Sequence, residues 1–278
     1  MTSFNTLFNR MFQEKSKAVY LIYLIQTFAS LCFTLMMFFS TRGQDPQIVV
    51  GKARETVNPI IEFLFMFAAM VAVTSVFAGF VYWIISSVKN ERINRSQTWR
   101  LIPISDTKFL LSNFGTALIS YIWLQIIEIV TVVVASLPLL FASKEIKGLF
   151  QGSNHNISAQ DWWQLLGGIV FVILLGYAWY AVVSLINLSS KSIMDFLPGG
   201  SSKALMFLVR LVVIVMVVWL LGYAGSVLFS VVGRFTPFAL GNGDIQMGST
   251  ILGFLAFDVV ITLIDILLLN KFVEAKQN

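Results

Sequence analysis

Five ionisable side chains fall inside apolar runs of this 278-residue chain: Glu62, Glu128, Arg210, Asp258 and Asp265. An unpaired charge at mid-membrane costs on the order of 2.5–3.5 kcal/mol on insertion scales, so each needs a partner, a cavity or a proton. The chemistry open to them is ion pairing, hydrogen bonding or proton binding. Arg210 and Asp265 stand at matching depths in their runs, which predicts a structural Arg210–Asp265 ion pair. Glu62 lies close enough to the start of its run to reach the interface. Glu128 has Gln125 one turn away, and Asp258 shares a helix face with Asp265 at i+7; both lie near mid-depth. For these two, a translocation path or proton site and a hydrogen-bonded or protonated helix contact both stand.

Other chemistry is scarce. Cys32 is the one cysteine and His155 the one histidine, so neither a disulfide within the chain nor a multi-histidine metal site can form. The sequence contains no GxxxxGK[ST] phosphate loop, no HExxH and no GxSxG elbow. Nothing in it supports an enzyme, and no cofactor is expected on this chain.

The elements that must position these residues follow from composition. The chain is 57% hydrophobic and 12% charged, with a mean hydropathy of +0.82. A soluble domain of this length has too little interior to hide so much apolar surface. A helix needs about 20 apolar residues to cross the hydrocarbon core. Six runs qualify: Ala18 to Phe39, Pro59 to Ser86, Phe114 to Phe141, Trp163 to Asn187, Ala204 to Phe229 and Ser249 to Asn270. The expected fold is all-α, a polytopic membrane protein with six transmembrane helices. The first run is too long for a signal-peptide core and reads as a retained span. Phe4, Leu7, Phe8, Met11 and Phe12 recur at helical spacing, which predicts an amphipathic helix at the membrane surface within residues 1–17.

Twelve Lys and Arg flank the spans on the side of the amino terminus and six on the other, so the positive-inside rule places both termini in the cytoplasm. The net charge of +5 follows from this topology, and no nucleic-acid partner is expected. The 230–248 loop is then external, and Phe235, Pro237, Phe238 and Leu240 make it hydrophobic enough to dip back into the bilayer. Asn156 to Ser158 spell a glycosylation sequon, a pattern common by chance. Ala68, Ala72, Ser75 and Gly79 form a small-residue seam for helix packing.

The most basic loop, residues 87–109, carries Lys89, Arg92, Arg95, Arg100 and Lys108. Within it sits an apolar patch, Trp99, Leu101, Ile102 and Ile104, interrupted by Pro103. A solvated loop has no need of such a patch, whereas a loop pressed against a cytoplasmic protein does. The second span is expected to continue as helix through Lys89 to Asn94, and the third to begin at Ser105 or Asp106, which can cap it. From Asp106 to Phe141 is about 54 Å of helix against a core of about 30 Å. The excess projects into the cytoplasm.

Trp99-Arg100-Leu101-Ile102-Pro103-Ile104-Ser105, then Lys108 and Leu111-Ser112, resembles the R-L-L-P-(I/V)-S…K…L-S-K run found before the third span in Gram-positive permeases of the type-2 ATP-binding-cassette exporter family. Asn113 stands where that run ends in lysine. The resemblance implies one permease domain over residues 1–278. It makes Phe4 to Phe12 a connecting helix, and places in Gln97 to Ile104 a coupling helix through which Trp99, Arg100, Leu101, Ile102 and Pro103 engage a separate ATPase. It makes Phe235 to Leu240 an external hairpin. It further implies ATP and Mg on that partner, a second permease copy or homologue, and a bacterial plasma membrane. The cargo would be a peptide, drug or lipid-like molecule. The competing expectations are a proton-coupled secondary transporter using Glu128 and Asp258, and a membrane protein that transports nothing.

Overall fold

Asn58 and Pro59 open the second long helix as their chemistry dictates. The Asn58 side-chain Oδ1 accepts the Ile60 N–H at 3.0 Å, and its carbonyl accepts the Ile61 and Glu62 N–H groups. Pro59 follows at the first helical position, where its missing N–H costs nothing. Ser105 does the same for a later helix, its carbonyl accepting the Phe109 N–H at 3.0 Å. A computed structural model describes residues 4–40, 47–50, 53–56, 58–142, 159–196, 207–208, 211–219, 222–223, 225–226 and 244–271.

The long elements are all helical: α1 (Phe4–Ser40), α2 (Pro59–Arg95), α4 (Asp106–Ala142), α5 (Ala159–Phe196) and α6 (Asp244–Lys271). A four-residue helical turn, α3 (Gln97–Arg100), joins α2 to α4. Each of the five long helices is apolar and long enough to cross a membrane. A two-stranded antiparallel ribbon, β1 (Gln47–Val50) with β2 (Ala53–Thr56), departs from the all-helical expectation; Gln47 pairs with Thr56 and Val50 with Ala53. The expected fifth span, Ala204 to Phe229, is described only in part, with 207–208, 211–219, 222–223 and 225–226 helical. Residues 227–243 are also outside them, but Asp244 to Gly248, expected as external loop, form the first turn of α6. The sequon and Arg210 lie outside the described residues.

No separate surface helix forms over Phe4–Phe12. These residues are the first turns of α1, because no glycine or proline interrupts the chain from Phe4 to Ser40. Leu7 and Met11 start a buried stripe that continues through Lys15, Val19, Ile22, Gln26, Ser30 and Thr34. On the opposite face Leu21, Leu24, Ile25, Phe28 and Met36 are exposed. Polar groups inside and large apolar groups outside reverse the pattern of a water-facing helix. Only a lipid solvent makes that arrangement favourable, since backbone and side-chain polar groups must then be satisfied within the protein. The chain is a helical, multi-pass membrane protein.

The helices contribute to two compact units, one built from Met1–Met11, Ser87–Leu118 and Ile157–Asn278, the other from Phe12–Ser86 and Ile119–Asn156. In the second, Val19, Ile22, Ala78, Tyr82 and Leu124 form the core. The small-residue seam is met in part. Ala68 and Gly79 are buried and Ser75 is half-buried, but Ala72 is exposed. The packed stripe runs instead through Val71, Ala78 and Tyr82. In the first unit α5 packs along α6, with Phe171 edge-on to Phe254 at 5.1 Å.

Candidate functional site

The apolar patch of the basic loop is carried on α3 and the bends that follow it. Leu101 is 82% exposed, the most exposed of the large hydrophobic residues described. Trp99, Ile102 and Ile104 are half-buried and Pro103 is exposed. The Trp99 carbonyl accepts the Ile102 N–H at 3.4 Å, and the Ile102 carbonyl accepts the Ile104 N–H at 2.7 Å, so the knuckle is held by its own backbone. Arg100 ends α3, and its side chain lies outside what is described.

The bases of the two helices entering this loop are tied together. Asn113 on α4 donates from Nδ2 to the Asn90 carbonyl at 3.0 Å and to Asn94 Oδ1 at 2.8 Å. Asn94 Nδ2 donates in turn to Glu91 Oε1 at 3.3 Å. On α5, Trp179 Nε1 donates to Ser87 Oγ at 3.0 Å. Asn113, the departure from the resembled motif, is therefore a buried clamp between α2 and α4.

Glu128 sits in the other unit and is fully engaged. Its Oε2 accepts Gln125 Nε2 at 3.0 Å. With the Gln26 carboxamide oriented to satisfy both neighbours, Gln26 donates to Glu128 Oε1 at 2.6 Å and accepts the Ser75 N–H at 3.2 Å. Around this trio run Ser30 to Thr74 at 2.7 Å and Tyr23 to Thr131 at 2.6 Å. Gln26, Thr74 and Ser40 also lie on an open groove of about 820 Å³ between α1 and α2, otherwise walled by apolar side chains such as Ile25, Phe33, Met70 and Phe77.

Asp258 and Asp265 lie on α6 in the first unit. Both are buried, at 4% and 0% exposure, and no carboxyl oxygen of either has a hydrogen-bond partner among the described residues. The Arg210–Asp265 pair involves a residue outside the described set. Glu91 on α2 and Tyr177 on α5 are described groups near enough to Asp265 to interact with it electrostatically. Glu91 is itself only 7% exposed. Glu91 falls within the expected helical continuation Lys89 to Asn94. Its helical phase, one turn past Ser87 and one before Asn94, was the signal that it faces inward. Gln26 was also overlooked, though Gln26, Ser30 and Thr34 at four-residue spacing inside an apolar run mark a polar face.

No family model, curated protein or solved structure matches the chain.

Proposed function

We propose that this chain is the membrane-spanning subunit of an ATP-binding-cassette exporter, driven by a separate ATPase that docks on residues 87–109. The observation that carries the reading is Leu101, a fully presented apolar side chain at the tip of a basic loop. An isolated exposed leucine means little. This one caps a short helical turn between two 37-residue helices, each about 55 Å long and so longer than a hydrocarbon core of about 30 Å. Asn113 bolts those two helices together just behind the knuckle, so a push on it reaches both. On this reading the loop is cytoplasmic, and the partner subunit binds ATP and Mg. A second permease copy or homologue completes the translocation path. The apolar groove beside Gln26 suits a peptide, drug or lipid-like cargo with a long apolar part.

Affinity purification of the chain from its native membrane should recover a P-loop ATPase that has no spans of its own. Leu101→Glu should abolish that recovery while the permease remains folded, and Trp99→Ala combined with Arg100→Glu should leave ATP hydrolysis uncoupled from transport. Transport that runs on a pH gradient with no ATPase present would decide for the second reading, a proton-coupled transporter. The buried carboxyls Glu128 and Asp258 favour that alternative, and Glu128→Gln should then abolish transport.

A further inference from the structure

The groove between α1 and α2, which lies within the second unit, is apolar along its length and cationic at one end. On α1 it is walled by Leu21, Ile25, Ala29, Phe33 and Met37, a ridge at four-residue spacing. Phe77, Ala78, Val81 and Ile85 of α2 stand opposite. The two helices run in opposite directions, with Ile22 in one cluster with Tyr82, and Phe38 edge-on to Phe63 at 5.6 Å. Leu21 and Ile85 therefore share an end. From there the α1 wall runs about 28 Å to Ser40 and the α2 wall about 22 Å to Met70. One leaflet of the hydrocarbon core is about 15 Å deep, so a lipid chain fits lengthwise.

The polar side chains inside are already engaged. Gln26 bonds Glu128 and the Ser75 N–H, and the Thr74 hydroxyl meets that of Ser30 at 2.7 Å. What the groove takes along its length is hydrocarbon. A helix is the wrong shape for it, because helices close on one another in lipid across small residues. Here Leu21, Ile25, Phe33, Phe77 and Val81 are exposed, whereas Ala78 is buried and Ala29 half-buried. A slot with small residues low down and bulky ones at its rims admits a single flexible chain.

At the Leu21 end the chemistry changes. Lys17 is the next member of the α1 ridge, exposed and without an ion pair among the described residues. Glu14, the nearest acidic residue on α1, stands farther out, so the cation is the charge closer to the groove. Amphipathic aromatic side chains gather at this height. The Tyr20 hydroxyl accepts the Trp123 Nε1–H at 3.2 Å, and Trp83 packs against the Tyr121 ring at 5.3 Å. Belts of this kind mark the level of the lipid headgroups. A cation at that level above an apolar slot complements an anionic head on a hydrocarbon tail.

We infer that the groove holds one acyl chain of an anionic phospholipid from the leaflet on the amino-terminal side, with its phosphate at Lys17. The occupant is then a lipid of the bilayer itself. This goes beyond the export reading and does not depend on it, since the lipid binds this chain with no ATPase present.

The test is native mass spectrometry of the full chain in detergent, titrated separately with phosphatidylglycerol and phosphatidylcholine of the same acyl chains. The wild type should hold one phosphatidylglycerol about 5-fold more tightly than phosphatidylcholine, the discrimination one lysine gives at a membrane surface. Lys17→Gln should erase that preference, and Lys271→Gln, at an exposed lysine on α6, should keep it. Ala29→Trp should weaken both lipids on the order of 10-fold, the worth of about two displaced methylenes. If that variant fails to fold, Lys17→Gln at its exposed position still decides. The proposal is overturned if the wild type binds both lipids equally, or if Lys17→Gln retains the preference. A folded Ala29→Trp that binds lipid as the parent does would overturn it too. So would a lipid-free dimer that Ala29→Trp turns into a monomer, which would give the groove to a second copy.

Discussion

Glu128 and Asp265 are both buried carboxyls on apolar helices, yet their surroundings are opposite. Glu128 accepts hydrogen bonds from two carboxamides, Gln26 and Gln125. Asp265 accepts none from the described residues. The contrast extends to their neighbourhoods. Around Glu128, Ser30 pairs with Thr74 and Tyr23 with Thr131. On the same helix as Asp265, the Asp258 carboxyl also lacks a hydrogen-bond partner among the described residues. A satisfied polar trio is glue between helices in lipid. Buried carboxyls without such partners cost stability. Depth in the membrane cannot separate the two cases, because it is the partner that decides.

Removing a carboxyl should therefore have different consequences in the two places. Glu128→Leu strands the donors of Gln26 and Gln125 in an apolar setting. It should lower stability by about 1–3 kcal/mol, a figure tempered by the modest worth of interhelical hydrogen bonds in membranes. Reversible unfolding in mixed micelles would measure it. A variant as stable as the parent would mean that Glu128 is not glue, and the comparison would fail at its first arm.

Within the first unit the Asn113 clamp is the exception that sharpens the rule. Asn113→Leu removes two hydrogen bonds and leaves the Asn90 carbonyl and Asn94 Oδ1 to find others. A loss of about 1–2 kcal/mol is expected by the same measurement. Proteolysis near residues 97–105 should also become faster as α2 and α4 loosen. Asp265→Asn, in the same unit, gives up no hydrogen bond to the described residues. It should leave stability unchanged to within about 1 kcal/mol, because the substitution keeps the size of the side chain and breaks no hydrogen bond to a described residue. A large loss would point instead to a partner such as Arg210, and would restore the ion pair expected from depth.

How much of this was legible in the sequence depends on the kind of fact. The starts of α2 and α4 were legible, because Asn58-Pro59 and Ser105-Asp106 act locally, whereas α1 and α6 begin well before their apolar runs. The continuation of α2 to Arg95 followed from an unbroken run without glycine or proline after Pro59 apart from Gly79. The ribbon was missed although β-branched Ile48, Val49 and Val50 stand just before a glycine in the sequence, a pattern that marks a strand ending at a turn. Partner choice was not legible. Matching Arg210 to Asp265 by depth fixes position along the helix axis but not the direction a side chain points around it. Only packing sets that angle, and here packing buries Glu91, which the sequence alone does not mark as an inward-facing residue. The same gap hid the Gln26–Glu128 contact, whose partners lie about a hundred positions apart.

The smallest expected effect tests whether the two units also differ in how tightly their helices close. A methyl group added at Gly79, in the unit of Glu128, would meet Gln125 Nε2 at 3.4 Å and the Tyr121 ring at 3.5 Å, which is ordinary contact. At Gly176, in the unit of Asp265, it would meet Leu118 Cδ1 at 3.2 Å, so that leucine must shift. Alanine is favoured over glycine inside a helix by about 0.5–1 kcal/mol. Gly79→Ala should keep most of that gain and add contacts to Gln125 and Tyr121. Gly176→Ala should lose much of it in moving Leu118. Unfolding of the two variants side by side should thus rank Gly79→Ala above Gly176→Ala by a few tenths of a kcal/mol. The reverse order would mean that the close approach at Gly79 is already at its limit, and that Gln125 is held against Glu128 partly by the missing side chain opposite it.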